Sequence, residues 1–88
     1  MIDFELYRIF VEVAKEGNIT KASEKLNVSQ PAITKQIKNL EEQLSMKLLE
    51  RKSKGVELTI DGKKLYEKIK KPIEELNAID RQACKEKV

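Results

Sequence analysis

The sequence predicts a mainly α fold in which three short helices are followed by a two-stranded hairpin and one long helix. Three observations predict it. Apolar residues recur at helical spacing in three successive stretches, separated by residues that suit left-handed turns and caps. A short period-two pattern then surrounds the basic turn Lys52-Ser53-Lys54-Gly55. Beyond it, an apolar stripe runs from Leu65 towards Ala83 with near-heptad spacing.

The first helix is expected over Asp3 to Glu16, where Leu6, Tyr7, Phe10, Val13 and Ala14 fall on one face. Gly17 is a natural stop, and Asn18 can cap the helix that follows. That second helix, Ile19 to Leu26, carries Ile19, Ala22 and Leu26 on one side. Asn27 sits where the chain must leave it, and asparagine tolerates the left-handed conformation better than most residues. A helix, a tight turn and another helix in this order make a helix-turn-helix candidate.

The third helix, about residues 29–44, contains a proline near its start. With Ser29 as N-cap, accepting from the Ala32 amide, Pro31 lies in the first turn, where its missing N–H has no intrahelical partner. Val28 and Ile33 then form a hydrophobic staple that fixes the entry angle. Ile33, Ile37, Leu40 and Leu44 make the buried stripe, and Gln30, Thr34, Lys35, Lys38 and Asn39 the polar side. An ordinary solvated helix face would look the same. The polar side is nevertheless rich in the groups that hydrogen-bond base edges and phosphates.

Met46, Leu48 and Leu49 can pack beneath the helices, with Val56 and Leu58 as the half-buried positions of a second strand. A basic hairpin beside a helix-turn-helix is a wing, although a solvated surface hairpin has the same pattern. Thr59 is the expected N-cap of the long helix, with Asp61 in its first turn. Leu65, Ile69, Ile73, Leu76, Ile79 and Ala83 form its apolar seam, which either pairs with a second chain or covers the domain's own core. Pro72 deletes one hydrogen bond and presses on the Lys68 carbonyl, so a kink with the helix continuing is expected. Residues 1–58 are thus expected to form a winged helix-turn-helix domain and residues 59–88 a linker and dimerisation helix.

Composition narrows the function classes. Of 88 residues, 18 are basic and 15 acidic. Residues 1–28 carry a net −1, residues 29–56 a net +3 and residues 57–88 a net +1, so the excess positive charge sits in the middle third. Local positive charge favours polyanions such as nucleic acid. There is no histidine and one cysteine, Cys84, so neither an internal disulfide nor a zinc site is available, and no metal or cofactor is expected. No leader pattern and no long apolar run occur, which points to a soluble, cytoplasmic protein without a membrane span. An enzyme is not expected. The neighbouring carboxylates Glu41-Glu42 and Glu74-Glu75 point apart on helices and read as solvated charges, and three glycines provide no phosphate-binding loop.

The motif FxxVAxEGNITKASEKLNVSQPAITKQIKNLEEQLSMKLLER, followed by GVELTxxG, strongly resembles the N-terminal DNA-binding domain of LysR-type transcriptional regulators. The joint spacing of L-x-V-S-Q-P-A, I-x-x-L-E and L-x-E-R carries the resemblance over nearly the whole chain. It implies a winged helix-turn-helix with a linker helix through which two chains dimerise, and a transcriptional regulator that binds interrupted palindromes in double-stranded DNA. By matching position, Gln30, Pro31, Ala32, Thr34 and Lys35 would face the major groove. Thr20, Lys21, Ser29 and Lys38 would touch phosphates. Arg51, Lys52, Ser53 and Lys54 would reach the backbone or the adjacent minor groove.

Most members also carry a C-terminal effector-binding domain, which is absent from this chain; a fragment and a minimal regulator both fit. The chain departs from the usual pattern at Ser45 (commonly glycine), Lys47 and Ile60 (commonly proline), Leu49 (commonly phenylalanine) and Lys35 (frequently arginine). A left-handed Ser45 should cost on the order of 1 kcal/mol. The competing function is a winged-helix interaction module that assembles through its long helix without reading DNA.

Overall fold

In the computed structural model, which describes residues 2–86 and the side chains of residues 2–81, the predicted elements appear in the predicted order. They are α1 (Phe4–Glu16), α2 (Ile19–Leu26), α3 (Gln30–Leu44), β1 (Leu49–Lys52), β2 (Gly55–Leu58) and α4 (Ile60–Glu86). The mainly helical winged fold expected from the sequence is thereby borne out. Ala83 of the expected seam and Cys84 lie outside the residues whose side chains are described, as do residues 87–88 entirely.

Local chemistry sets each boundary. Asp3 caps α1 by accepting from the Glu5 amide, and Gly17 closes it in the left-handed region at φ 66°. Asn18 caps α2 by accepting from the Lys21 amide at 3.0 Å. Asn27 ends that helix at φ 57°, with the Val28 amide reaching back to the Ser23 carbonyl. Ser29 accepts from the Ala32 amide at 3.3 Å, so Pro31 lies in the opening turn of α3. Ser45 is left-handed at φ 54°, and the Met46 and Ser45 amides return to the Glu41 and Glu42 carbonyls. This is the closure usually given to glycine, so the serine carries the strain of about 1 kcal/mol expected of it.

Packing centres on α1, which touches α2, α3, α4 and β2 at once. That central position explains why Ile9 and Val11 are buried in addition to the expected Leu6, Phe10 and Val13. Phe10, Val13, Ala22, Ile33, Leu40 and Leu48 are wholly removed from solvent. Leu65 and Ile69 pack against this core and Ile73 is buried within it, whereas Leu76 and Ile79 are 46% and 61% exposed. The apolar stripe of α4 therefore has two halves with different surroundings.

Two contacts tie the hairpin and α4 to the helices, and neither is visible in local sequence. The Glu41 carboxylate accepts from the Leu48 amide at 2.7 Å and the Leu49 amide at 3.2 Å. Glu41 is thus not the solvated charge its neighbourhood suggested, because the chain reversing at Ser45 brings two unpaired amides back over it. Thr59 caps α4 through the Gly62 amide at 2.9 Å while its hydroxyl donates to the Lys47 carbonyl at 2.6 Å. Gly62 is buried so closely against Leu48 that a Cβ there would strike the Leu48 carbonyl oxygen. The helix then runs unbroken past Pro72. Both Pro72 and Lys68 face solvent, where water can take up the hydrogen bond that the proline forfeits. At about 1.5 Å per residue, the 27 residues of α4 account for the 42 Å long axis of the molecule.

Between α1 and α2, Lys25 and Glu16 form an ion pair at 3.2 Å. The Glu16 carboxyl is held below its ordinary value, first by its hydrogen bond with Lys25, with the nearby Lys25 and Lys15 charges and Glu12 acting the same way against partial desolvation. A depressed folded-state pKa adds stability above the unfolded value, and this is lost as pH falls through the folded one. Lys25→Ala should raise the Glu16 pKa towards that of a free glutamate, as read by carboxyl NMR titration. An unchanged Glu16 titration would refute the pairing.

Among the described residues no helix is long and apolar enough to cross a membrane. Nor do they contain a group of three or more potential metal ligands.

Candidate nucleic-acid interface

Three elements present their polar residues on one side of the molecule. The first turn of α2 supplies Thr20 and Lys21, both exposed. The leading turns of α3 supply Gln30, Pro31, Lys35 and Lys38, exposed, with Thr34 and Ala32 half-buried behind them. The wing supplies Arg51, Lys52, Ser53 and Lys54, all exposed. Each set is where it is for a local reason. The Asn18 and Ser29 caps turn the start of a helix outward, and the buried stripe of α3 aims its opposite face at solvent.

The surface between these elements is concave. One shallow hollow is lined by Gln30, Pro31, Thr34 and Lys35. A second joins Asn18, Ile19 and Thr20 to Gln30 and to Arg51, Lys52, Gly55 and Val56. A third runs beneath Thr34, Lys38, Glu41, Lys47 and Arg51 over a floor of Ile37 and Leu49. The first turn of α2, the first turns of α3 and the root of the wing therefore meet around common crevices. Ser53 and Lys54 line none of them and form the wing tip.

The wing is positioned by backbone contact. The Val56 amide donates to the Gly17 carbonyl at 3.1 Å, which pins β2 to the junction of α1 and α2. On the hairpin itself Leu49 pairs with Leu58, Glu50 with Glu57, Arg51 with Val56 and Lys52 with Gly55. The Arg51 guanidinium donates to Thr34 Oγ1 at 3.3 Å, linking wing and α3 side chain to side chain. This link was missed from sequence, as was Lys47 in the third hollow. For Arg51 the signal was available, since counting in twos from buried Leu49 puts it on the helix-facing side.

This face is rich in cations that stand outside ion pairs. The ion pairs among the described residues are Arg8 with Glu5, Lys15 with Glu74, Lys25 with Glu16 and Lys52 with Glu50. Lys21, Lys35, Lys38, Lys47, Arg51 and Lys54 join none of them, so six of the seven cations on this side stand outside an ion pair. The helix N-termini of α2 and α3 add the positive ends of their dipoles. A concave face with free cations, outward amides and exposed glutamine and threonine side chains can bind a polyanion and hydrogen-bond the groups it displays.

Comparison with known proteins agrees with this geometry. The family model described as bacterial regulatory helix-turn-helix protein, lysR family, matches residues 4–63. The chain is 49% identical over 61 residues to the HTH-type transcriptional regulator ClcR of Pseudomonas putida, an alignment that takes in 69% of this chain and 21% of that protein. It is 47% identical over 60 residues to BenM of Acinetobacter baylyi, covering 68% of this chain and 20% of BenM. The chain thus spans about a fifth to a quarter of the first curated relatives it matches.

Among solved structures, the CbnR_DBD–DNA complex superposes with a TM-score of 0.78 at 33% identity over 99% of this chain and 100% of that one. The BenM_DBD/catB site 1 DNA complex does so at 0.81 and 34% identity, over 96% and 94%. With the family model matched over well more than half of its length, the chain belongs to the lysR family of bacterial regulatory helix-turn-helix proteins.

Proposed function

We propose that the chain is the DNA-binding part of a transcriptional regulator that reads double-stranded DNA in the bacterial cytoplasm. The observation that carries the proposal is the meeting of α2, α3 and the wing around one concave face where six cations stand outside an ion pair. The leading turns of α3 enter the major groove, whose width of about 12 Å admits a helix. Gln30, Pro31, Ala32, Thr34 and Lys35 are the base-facing set. Thr20, Lys21, Ser29 and Lys38 position phosphates, and Arg51, Lys52, Ser53 and Lys54 follow the backbone or the neighbouring minor groove. The names of the CbnR and BenM neighbours describe complexes with DNA, which supports this assignment.

The site read is an interrupted palindrome, bound by a dimer formed through α4. Ile73 is buried in the chain's own core with Leu65 and Ile69 packed against it, so their part is to hold α4 in place. Leu76 and Ile79, exposed in the single chain, are the surface offered to the second copy.

The experiment is site selection from random duplex DNA, followed by titration of two variants. Neutralising about five phosphates per chain should give a log–log salt slope of about −4.5 per subunit. Gln30→Ala should flatten discrimination at one base pair by roughly 1–3 kcal/mol. Lys54→Ala should weaken every sequence alike and reduce the salt slope by about 1. Equal, uniform losses in both variants would refute the division between base reading and backbone positioning. Equal binding of random and selected duplexes would favour an interaction module that assembles through α4.

A further inference from the structure

Arg51 differs from the other wing cations in where it points and what it touches. Strand side chains alternate between two faces, and the hairpin register puts Arg51 with Leu49, Val56 and Leu58. Leu49 is buried, and Val56 and Leu58 pack against the core, so that face looks at the helices. Lys52 lies on the opposite face, paired with Glu50 at 3.6 Å. Arg51 instead donates from Nη2 to Thr34 Oγ1, and with Thr34 it lines the hollow floored by Ile37 and Leu49.

The direction of that hydrogen bond has a chemical consequence. A guanidinium only donates, so Thr34 Oγ1 must accept. The threonine proton is then left to point elsewhere. Ser23, on α2, returns its hydroxyl to the Thr20 carbonyl at 2.7 Å. Thr34 makes no such return to the Gln30 carbonyl among the described residues, so its only side-chain hydrogen bond there is the one it accepts from Arg51. The bond turns Thr34 Oγ1 towards the wing and leaves its proton and one acceptor lone pair for an outside partner.

We propose that Arg51 is a specificity-determining residue acting through Thr34, its guanidinium holding the threonine hydroxyl in the orientation in which it meets a base edge. The proposal rests on the DNA-reading assignment of α3 made above, and gives Arg51 a role distinct from that of Lys54 on the same hairpin.

The test measures binding of the wild type, Arg51→Lys, Arg51→Ala, Thr34→Val and the Arg51→Ala/Thr34→Val double variant. The probes are the selected duplex and its single-base-pair variants. Arg51→Ala and Thr34→Val should each relax preference at the same base pair, by roughly tenfold for a contact of this kind. The double variant should relax it no further. Arg51→Lys should keep the salt slope while losing the preference, because lysine retains the charge but not the fork. A wild type that prefers its selected site, combined with a uniform loss in Arg51→Ala across all duplexes, overturns this proposal alone. Additive effects of the two single changes also overturn it. A wild type that binds all duplexes alike overturns the DNA-reading assignment and this proposal with it. Arg51 is exposed and Thr34→Val preserves shape, so unfolding midpoints should stay at the wild-type value in every variant.

Discussion

Gly55→Ala is expected to be the most damaging single change in the wing, for two separable reasons. Gly55 has φ 129°, a region that L-residues rarely enter, and occupying it costs on the order of 1–3 kcal/mol. In addition, a Cβ there would strike the Gly17 carbonyl oxygen, the same atom that accepts from the Val56 amide. Forcing bulk into a closed contact adds typically about 1–3 kcal/mol.

Gly17→Ala is the control. Its φ of 66° brings left-handed strain, but nothing lies within 4 Å of the new Cβ, so only about 1 kcal/mol is expected. Denaturant unfolding should show Gly55→Ala losing several-fold more stability than Gly17→Ala. Equal losses would mean that the hairpin yields and the contact with Gly17 does not hold it. Because Arg51 and Lys54 ride on this hairpin, Gly55→Ala should also weaken binding to every duplex alike.

What the sequence disclosed and what it hid divide by range. The boundaries at Gly17-Asn18, Asn27 and Ser29-Gln30-Pro31 were legible because caps and left-handed turns are decided within four or five residues. Left-handed Ser45 was legible only through the resemblance, since serine carries no such preference of its own. The contacts that set the shape of the candidate site were not legible: Glu41 to the Leu48 and Leu49 amides, Gly17 to Val56, Leu48 against Gly62, and Arg51 to Thr34. Each joins elements whose approach depends on how helices pack. Glu41 shows the limit well. As one of two adjacent helical carboxylates it looked solvated, and only the reversal of the chain at Ser45 makes it an acceptor for two amides. Among the site residues, exposure could be expected from the polar face of α3, but the orientation of Arg51 needed the strand register.

The apolar stripe of α4 raises the same question of range, and its answer yields the prediction with the largest effect on binding. Periodicity identifies a face without saying what covers it. Here α4 crosses α1, with Lys15 and Glu74 at 3.8 Å, and Ile73 is 4% exposed. Farther along, Leu76 and Ile79 are left exposed by the described residues. If they join two copies, binding of the second half-site becomes intramolecular, and linkage of this kind raises affinity by about 10²–10⁴-fold.

The double substitution Leu76→Glu/Ile79→Glu should therefore give a monomer by sedimentation. Its affinity for the palindrome should fall by about that factor, while its affinity for an isolated half-site stays near the wild-type value. Monomer stability should barely change, because both side chains already face water. Ile73→Ala is the contrasting case: removing a buried isoleucine costs about 2–5 kcal/mol of fold stability, so it should lower the unfolding midpoint itself. Should the double variant remain dimeric with full affinity for the palindrome, the two chains meet elsewhere, and the exposed end of α4 does not account for pairing of the half-sites.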